Sequence, residues 1–140
     1  MNPIVMNILA VIGGIVLGSA INMLIVYYGP VLIPPPEGVD TTTAEGLKAG
    51  LHLMKPIHYI VPFVAHFAGT FTGALIAAII AATFKMKFAL VIGFFFLLGG
   101  IAASFMIPAP TWFIIVDLLM AYIPAAYLAG KLITNNSANS

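Results

Sequence analysis

Long apolar stretches separated by short polar ones organise this sequence. About 20 apolar residues are enough to cross the hydrocarbon core of a bilayer as a helix. Four stretches reach that length, at residues 3–28, 57–84, 88–107 and 111–133. Because a backbone in lipid must satisfy its own hydrogen bonds, each is predicted to be an α-helix. The prediction is therefore an all-α, integral membrane four-helix bundle, with one domain over residues 1–134 and a disordered polar tail at 135–140.

The connection between the first two stretches has a pattern of its own. "TTAE" (42–45) matches a capping box, in which a hydroxyl and the Glu45 carboxylate satisfy free N–H groups at a helix start. The residues that follow place Leu47, Leu51 and Met54 on one helical face, and Pro56 ends the pattern. This spacing predicts a short amphipathic helix at about 43–55, lying in the membrane interface.

Similar segments in the two halves of the chain indicate an internal repeat. "LAVIGGIVLGSAI" (9–21) resembles "ALVIGFFFLLGGI" (89–101), while "VLIPPP" and "FMIPAP" follow the first and third spans. A duplicated hairpin would give two tandem parallel hairpins related by an axis along the membrane normal. The alternative is a chance similarity between apolar segments that draw on few residue types.

Small residues at four-residue steps indicate how the helices pack. Gly14 and Gly18 form such a seam in the first span, and Gly69 and Gly73 form one in the second. Close approach of backbones at small residues is a common basis of helix association in lipid. At the ends of the spans, aromatic residues such as Tyr59 and Trp112 are expected to act as interfacial anchors.

Composition agrees with this picture and limits the partners. The chain is 62% hydrophobic and 6% charged, with a mean hydropathy of +1.14. The expected surrounding is therefore a lipid bilayer. Cysteine does not occur, which removes disulfides and thiolate metal sites. The net charge is only +1 and provides no basic surface, so nucleic acid is not an expected partner.

The lysines give a weak orientation signal. Lys85, Lys87 and Lys131 fall on one side of the predicted bundle, and Lys48 and Lys55 on the other, in the 29–56 connection. Because Lys and Arg are enriched on the cytoplasmic side, this pattern favours a cell (inner) membrane protein with both termini in the cytoplasm.

Polar residues within the apolar spans are the main functional candidates, because ionisable groups at membrane depth are costly. His66 and Asp117 are the two ionisable ones. The other candidates lie in the same outer half of the bundle, on the side of the 29–56 connection: Asn22, Ser104, Thr70 and Tyr122. This cluster is predicted to bind a ligand or ion, and the structural alternative is a set of ordinary interhelical hydrogen bonds. Pro62 and Pro124 are predicted to interrupt their helices.

A second group of polar residues lies in or next to the 29–56 connection. Its members are Glu37, Asp40, His52 and His58. Carboxylates and imidazoles are metal ligands, but the spacing matches no metal motif, so no metal site is predicted. The simpler interpretation is that these polar side chains keep the connection hydrated.

Three functions are compatible with these residues. The first is binding or passing a small solute, proton or cation at the polar cluster, in a chain expected to form a homo-oligomer or to join a larger membrane complex. The second is an accessory or stabilising subunit of such a complex, and the third is quinone or lipid binding. An enzyme is the least favoured, since Ser104, His66 and Asp117 supply the residue types of a catalytic triad without any signature motif. No cofactor can be named from the sequence.

Overall fold

Four helical spans, each long and apolar enough to cross a membrane, make up the fold. The computed structural model describes residues 1–138, and the side chains of residues 1–136. The helices are α1 (Pro3–Leu32), α2 (Ala44–Gly50), α3 (Ile60–Ile80), α4 (Lys85–Met106), α5 (Thr111–Met120) and α6 (Ile123–Ala138). Two 3-10 turns, Leu51–Leu53 and Pro56–Tyr59, lead from α2 into α3. The prediction of an all-α, integral membrane four-helix bundle is confirmed, with α5 and α6 together forming the fourth span.

The first span is longer than predicted. Asn2 caps its start by accepting a hydrogen bond from the Ile4 N–H at 2.8 Å, and the helix then continues through Pro30 to Leu32. Proline inside a helix removes one backbone hydrogen bond. The last turn still forms because α1 packs against α3 there, where Gly29 is buried so tightly that a Cβ would overlap Val61.

Glycines bring α1 and α3 into backbone contact, as their spacing predicts. A Cβ built on Gly14 would lie 2.7 Å from the Gly73 carbonyl oxygen, and one on Gly18 would lie 2.7 Å from that of Gly69. Neither contact can be relieved by a side-chain rotation, since the opposing atom belongs to the backbone. These glycines therefore set the distance between the two helices.

The half of the bundle away from the 29–56 connection is filled with small side chains. Its fully buried cluster consists of Ala74, Ala77 and Ala78 from α3, Ala89 and Ile92 from α4, and Ala126 and Ala129 from α6. The packing of the two hairpins is not twofold symmetric. Helix α3 packs against α4 and α6, whereas α1 and α6 share no substantial contact within the described residues. Helix α1 is thus held mainly by α3.

The α3–α4 turn closes that same side. The second span ends at Ile80 rather than at 84, because the chain turns sharply there and Phe84 adopts a left-handed conformation with φ of 48°. The Lys85 ammonium donates to the carbonyls of Ala78, Ile79 and Ala81 at 3.0, 3.1 and 2.8 Å. These bonds satisfy carbonyls that the end of α3 leaves without a partner in the helix.

The predicted interfacial helix is shorter than expected, and its cap differs. The α-helix covers Ala44–Gly50 only. The capping residue is Thr43, whose hydroxyl accepts from the Gly46 N–H at 3.0 Å, so the predicted reciprocal box of Thr42 with Glu45 is wrong. Asp40 explains the shift, since its carboxylate already accepts the N–H and hydroxyl of Thr42, at 2.8 and 2.6 Å.

The predicted helix interruptions at the two prolines of the later spans have different outcomes. Pro124 lies next to a real break, with α5 ending at Met120 and α6 starting at Ile123. Pro62 is the third residue of α3, where an N–H has no partner within the α-helix, so the predicted interruption is wrong there. Helix α6 continues to Ala138 and so extends into the predicted tail, residues 135–140. The rest of the predicted tail, residues 139 and 140, lies outside the described residues.

Candidate functional site

A buried carboxylate joins two spans at the centre of the site. Asp117, in the last turn of α5, is 5% exposed. Its oxygens lie 2.8 and 3.0 Å from Nδ1 of His66 on α3, and its Oδ2 accepts the Tyr122 hydroxyl at 3.0 Å. Three of the six intramembrane candidates therefore form one hydrogen-bonded network.

The break after Met120 makes this network possible. Successive residues of a regular α-helix are rotated by about 100°, so residues five apart point away from each other. Tyr122 nevertheless reaches Asp117, because the chain bends between α5 and α6. Gly100 of α4 provides the space, since a Cβ there would lie 2.5 Å from the Tyr122 hydroxyl oxygen. The ring of Tyr122 also stacks on that of His66, with 5.8 Å between centroids.

Nδ1 is the ring nitrogen of His66 that faces Asp117. An ionised carboxylate can only accept hydrogen bonds, so in that state of Asp117 the shared hydrogen is on Nδ1. The other ring nitrogen, Nε2, has no hydrogen-bond partner among the described residues. His66 keeps 27% of its side chain exposed, against 7% for Asp117. The histidine is thus the accessible member of the pair.

A cavity of about 320 Å³ lies beneath the 29–56 connection, and we call it the loop-side cavity. His66, Asp117 and Ser104 contribute to its wall. Its lining from the connection itself is Pro30, Ile33, Pro35, Thr41, Leu47 and Met54. The buried hydroxyl of Tyr59 belongs to a lining residue and has no hydrogen-bond partner within the described part of the chain. The loop-side cavity is thus mostly apolar, with a few polar groups in its wall.

A second cavity, of about 280 Å³, lies between α1, α3 and α4, and we call it the lateral cavity. Asn22, His66, Thr70 and Tyr122 line it. Thr70 is 1% exposed, and its hydroxyl has no hydrogen-bond partner among residues 1–138. All six intramembrane candidates therefore line one of the two cavities, and His66 lines both.

Ser104 does not complete a catalytic triad. Its hydroxyl donates to the Ile101 carbonyl of its own helix at 2.7 Å. The hydrogen bonds of His66 go to Asp117 instead. A nucleophile activated by the histidine is required for triad chemistry. The described residues provide no such pair at this site.

The four loop candidates are not brought together. Asp40 accepts hydrogen bonds from Thr42 and also from the Thr43 hydroxyl at 2.9 Å, and these bonds, first of all that of the Thr42 hydroxyl, lower the pKa of its carboxyl. Nδ1 of His58 accepts the Lys55 N–H at 2.8 Å. Glu37 and His52 are exposed. Within residues 1–138 no three His, Cys, Asp or Glu side chains are grouped as a metal site would require.

Sequence reasoning missed two residues of the site. Tyr59 was expected to be an interfacial anchor, and it does pack against Trp112, with 5.5 Å between ring centroids. Its position seven residues before His66 places both on the same face of the second span, and that signal was available in the sequence. Gly100 was predicted only as part of a small-residue packing seam with Ser104 in the third span, because only the fold shows that Tyr122 lies against it.

No protein-family model matches this chain, and no curated protein or solved structure matches it significantly. The function is therefore inferred from the chemistry and geometry of the site.

Proposed function

We propose that this protein binds a small, uncharged amphipathic molecule in the loop-side cavity, with an oxygen-bearing head group beside the His66–Asp117 pair. The observation that carries the proposal is Tyr59, which lines this cavity and whose buried hydroxyl has no partner among the described residues. Buried polar groups are almost always hydrogen-bonded, so a hydroxyl left without a partner in a cavity wall favours a ligand that supplies one.

The size and lining of the cavity define the class of ligand. Pockets for small molecules hold about 300–1,000 Å³, and an engineered cavity of about 150 Å³ accepts benzene. The loop-side cavity, at about 320 Å³, has room for one ring, and it is open enough for an apolar chain to extend from it. Apolar side chains cover most of its wall, which suits the apolar part of an amphipathic ligand. Single-ring quinones and short-chain lipids have this shape.

The charge of the site favours an uncharged head group. Lys, Arg and Glu do not occur among the described lining residues of either cavity. The carboxylate of Asp117 is already occupied by hydrogen bonds from His66 and Tyr122. A cation would have to displace these bonds, and an anion would find histidine but no lysine or arginine in the described lining. When Nδ1 donates to Asp117, Nε2 of the neutral imidazole accepts a hydrogen bond from a ligand hydroxyl, and the Nε2–H of the imidazolium donates one to a carbonyl.

The other half of the bundle supports binding rather than passage. The alanine-rich cluster around Ile92 fills the space between α3, α4 and α6. Helix α1 is in backbone contact with α3 at Gly14 and Gly73. Close packing of this kind provides no polar path for an ion through the described part of one chain. Ligand binding at the polar cluster therefore accounts for the site without a pore.

We also propose that the protein lies in the cell membrane with both termini in the cytoplasm, on the basis of the three lysines opposite the 29–56 connection. The natural lack of cysteine makes this simple to test. Ala82→Cys and Ala49→Cys place single thiols at exposed positions on the two sides. A membrane-impermeant maleimide added to intact cells should label only Ala49→Cys, and labelling of only Ala82→Cys would reverse the orientation.

Binding can be followed with the single tryptophan of the chain. Trp112 packs against Tyr59, so its fluorescence reports on the loop-side cavity. A decyl-substituted benzoquinone, titrated into the purified protein, should quench it to saturation. One neutral hydrogen bond is worth about 1 kcal/mol, so Tyr59→Phe should weaken binding about fivefold. Tyr27→Phe, at an exposed tyrosine outside both cavities, is the matched control and should bind as wild type. Quenching that does not saturate, or equal affinity in both variants, contradicts the proposal.

A further inference from the structure

The lateral cavity opens sideways, towards the hydrocarbon of the bilayer. Its wall includes Met23 of α1, which is 61% exposed, and Gly99 of α4, where an added Cβ would meet no described atom within 4 Å. Both helices are long and apolar enough to be membrane spans. They pack only slightly against each other, so a gap remains between them with α3 as its floor. A molecule dissolved in the bilayer can therefore reach this cavity without passing the 29–56 connection.

The floor of the lateral cavity is unusually polar for a surface open to lipid. Thr70 is almost completely buried, and its hydroxyl has no hydrogen-bond partner in the described chain. The side-chain amide of Asn22, which also lines the cavity, makes no hydrogen bond to the described residues. Hydrocarbon offers no partners for such groups, so leaving them unpaired is costly. A group that enters from the bilayer would supply the partners that these two side chains lack.

We propose that the lateral cavity is a second, bilayer-facing subsite, which binds an oxygen-bearing group of a membrane-dissolved molecule through Thr70 and Asn22. This inference rests on the proposed function, because the occupant is the same class of uncharged amphiphile. His66 lines both cavities, so the two subsites meet at one imidazole ring. A ligand that enters between α1 and α4 thus reaches the His66–Asp117 pair from within the membrane.

Two substitutions test the subsite separately from the fold. Thr70→Val keeps the shape of the side chain and removes the unpaired hydroxyl. Gly99→Phe fills the opening from a position where an added Cβ meets no described neighbour. Leu98→Phe is the matched control, since Leu98 is an exposed residue of the same helix and lines neither cavity. All three are compared with wild type in lipid nanodiscs, using the decyl-substituted benzoquinone and Trp112 fluorescence.

Thr70→Val should weaken binding about fivefold, because that is the effect of losing one neutral hydrogen bond. Its unfolding midpoint in detergent should stay the same or rise, because the free protein loses an unsatisfied buried group. A purely structural threonine would lower stability and leave binding unchanged. Gly99→Phe should slow association at least tenfold, while Leu98→Phe should bind as wild type.

The outcomes separate this inference from the proposed function. If Thr70→Val and Gly99→Phe bind like wild type while Tyr59→Phe is weakened, the lateral subsite is wrong and the loop-side site stands. If all three bind like wild type, both proposals fail. If Gly99→Phe instead changes the oligomeric mass of the protein, a second copy of the chain covers the opening, and the inference is overturned.

Discussion

The contact between α1 and α3 provides a sharp stability prediction. A Cβ at Gly73 would lie 2.5 Å from the Gly14 carbonyl oxygen, whereas one at Gly13 would lie 3.5 Å from its nearest neighbour, the Cδ1 of Ile80. Gly73→Ala and Gly13→Ala gain the same helix propensity, up to about 1 kcal/mol. Their difference in unfolding free energy therefore isolates the steric cost at the backbone contact.

The size of that cost follows from the geometry. To restore an ordinary contact, α1 must move away from α3 by about 1 Å, a gap that forfeits a quarter to a half of the dispersion energy of the atoms involved. Overpacking of this kind costs about 1–3 kcal/mol. Gly73→Ala should therefore be about 1–3 kcal/mol less stable than Gly13→Ala, which should match or exceed wild type. Unfolding with SDS in mixed micelles, followed by circular dichroism, measures both. Equal stability of the two variants would refute the claim that backbone contact holds α1 in place.

Three further predictions concern the polar groups. Tyr122→Phe removes the hydroxyl that donates to buried Asp117 and should lower the unfolding free energy by about 1.5–3 kcal/mol in the same SDS titration; no change would show that the bond is not formed. Thr43→Ala removes the cap of α2 and should cost that helix about 1 kcal/mol, seen as faster amide hydrogen exchange in α2 alone. The lowered pKa of Asp40 means that its bonds to Thr42 stabilise the turn above pH 3.8 and are lost as the pH falls through the lower folded pKa, which an NMR titration of the Thr42 amide should show.

The spans and their glycine contacts could be predicted because both depend on local composition. Apolar length alone places the four helices, and the four-residue spacing of Gly14 and Gly18 identifies the face that meets α3. The residues at which the helices end were less predictable. Helix α1 continues through Pro30 because packing at Gly29 outweighs one lost hydrogen bond, and no local pattern contains that information.

In the site too, some features could be predicted from local sequence and others depend on packing. The cost of an ionisable group at membrane depth singles out His66 and Asp117. The structure brings the imidazole Nδ1 to 2.8 Å from the carboxylate. The link to Tyr122 depends on a bend between α5 and α6, which the position of Pro124 indicates but whose direction it does not specify. The two cavities depend on how far α1 stands from α4, and such a distance is set by the packing of all four spans rather than by any one segment.

Native mass spectrometry of the gently extracted protein shows whether the polar cluster holds a small uncharged molecule. We expect one small molecule per chain in wild type, and less of it in Tyr59→Phe and Thr70→Val. Ligand binding at the polar cluster is wrong if the chain carries no small molecule, takes up none of the decyl-substituted benzoquinone and is bound to a different polypeptide. That result would instead identify the protein as an accessory subunit of a larger membrane complex.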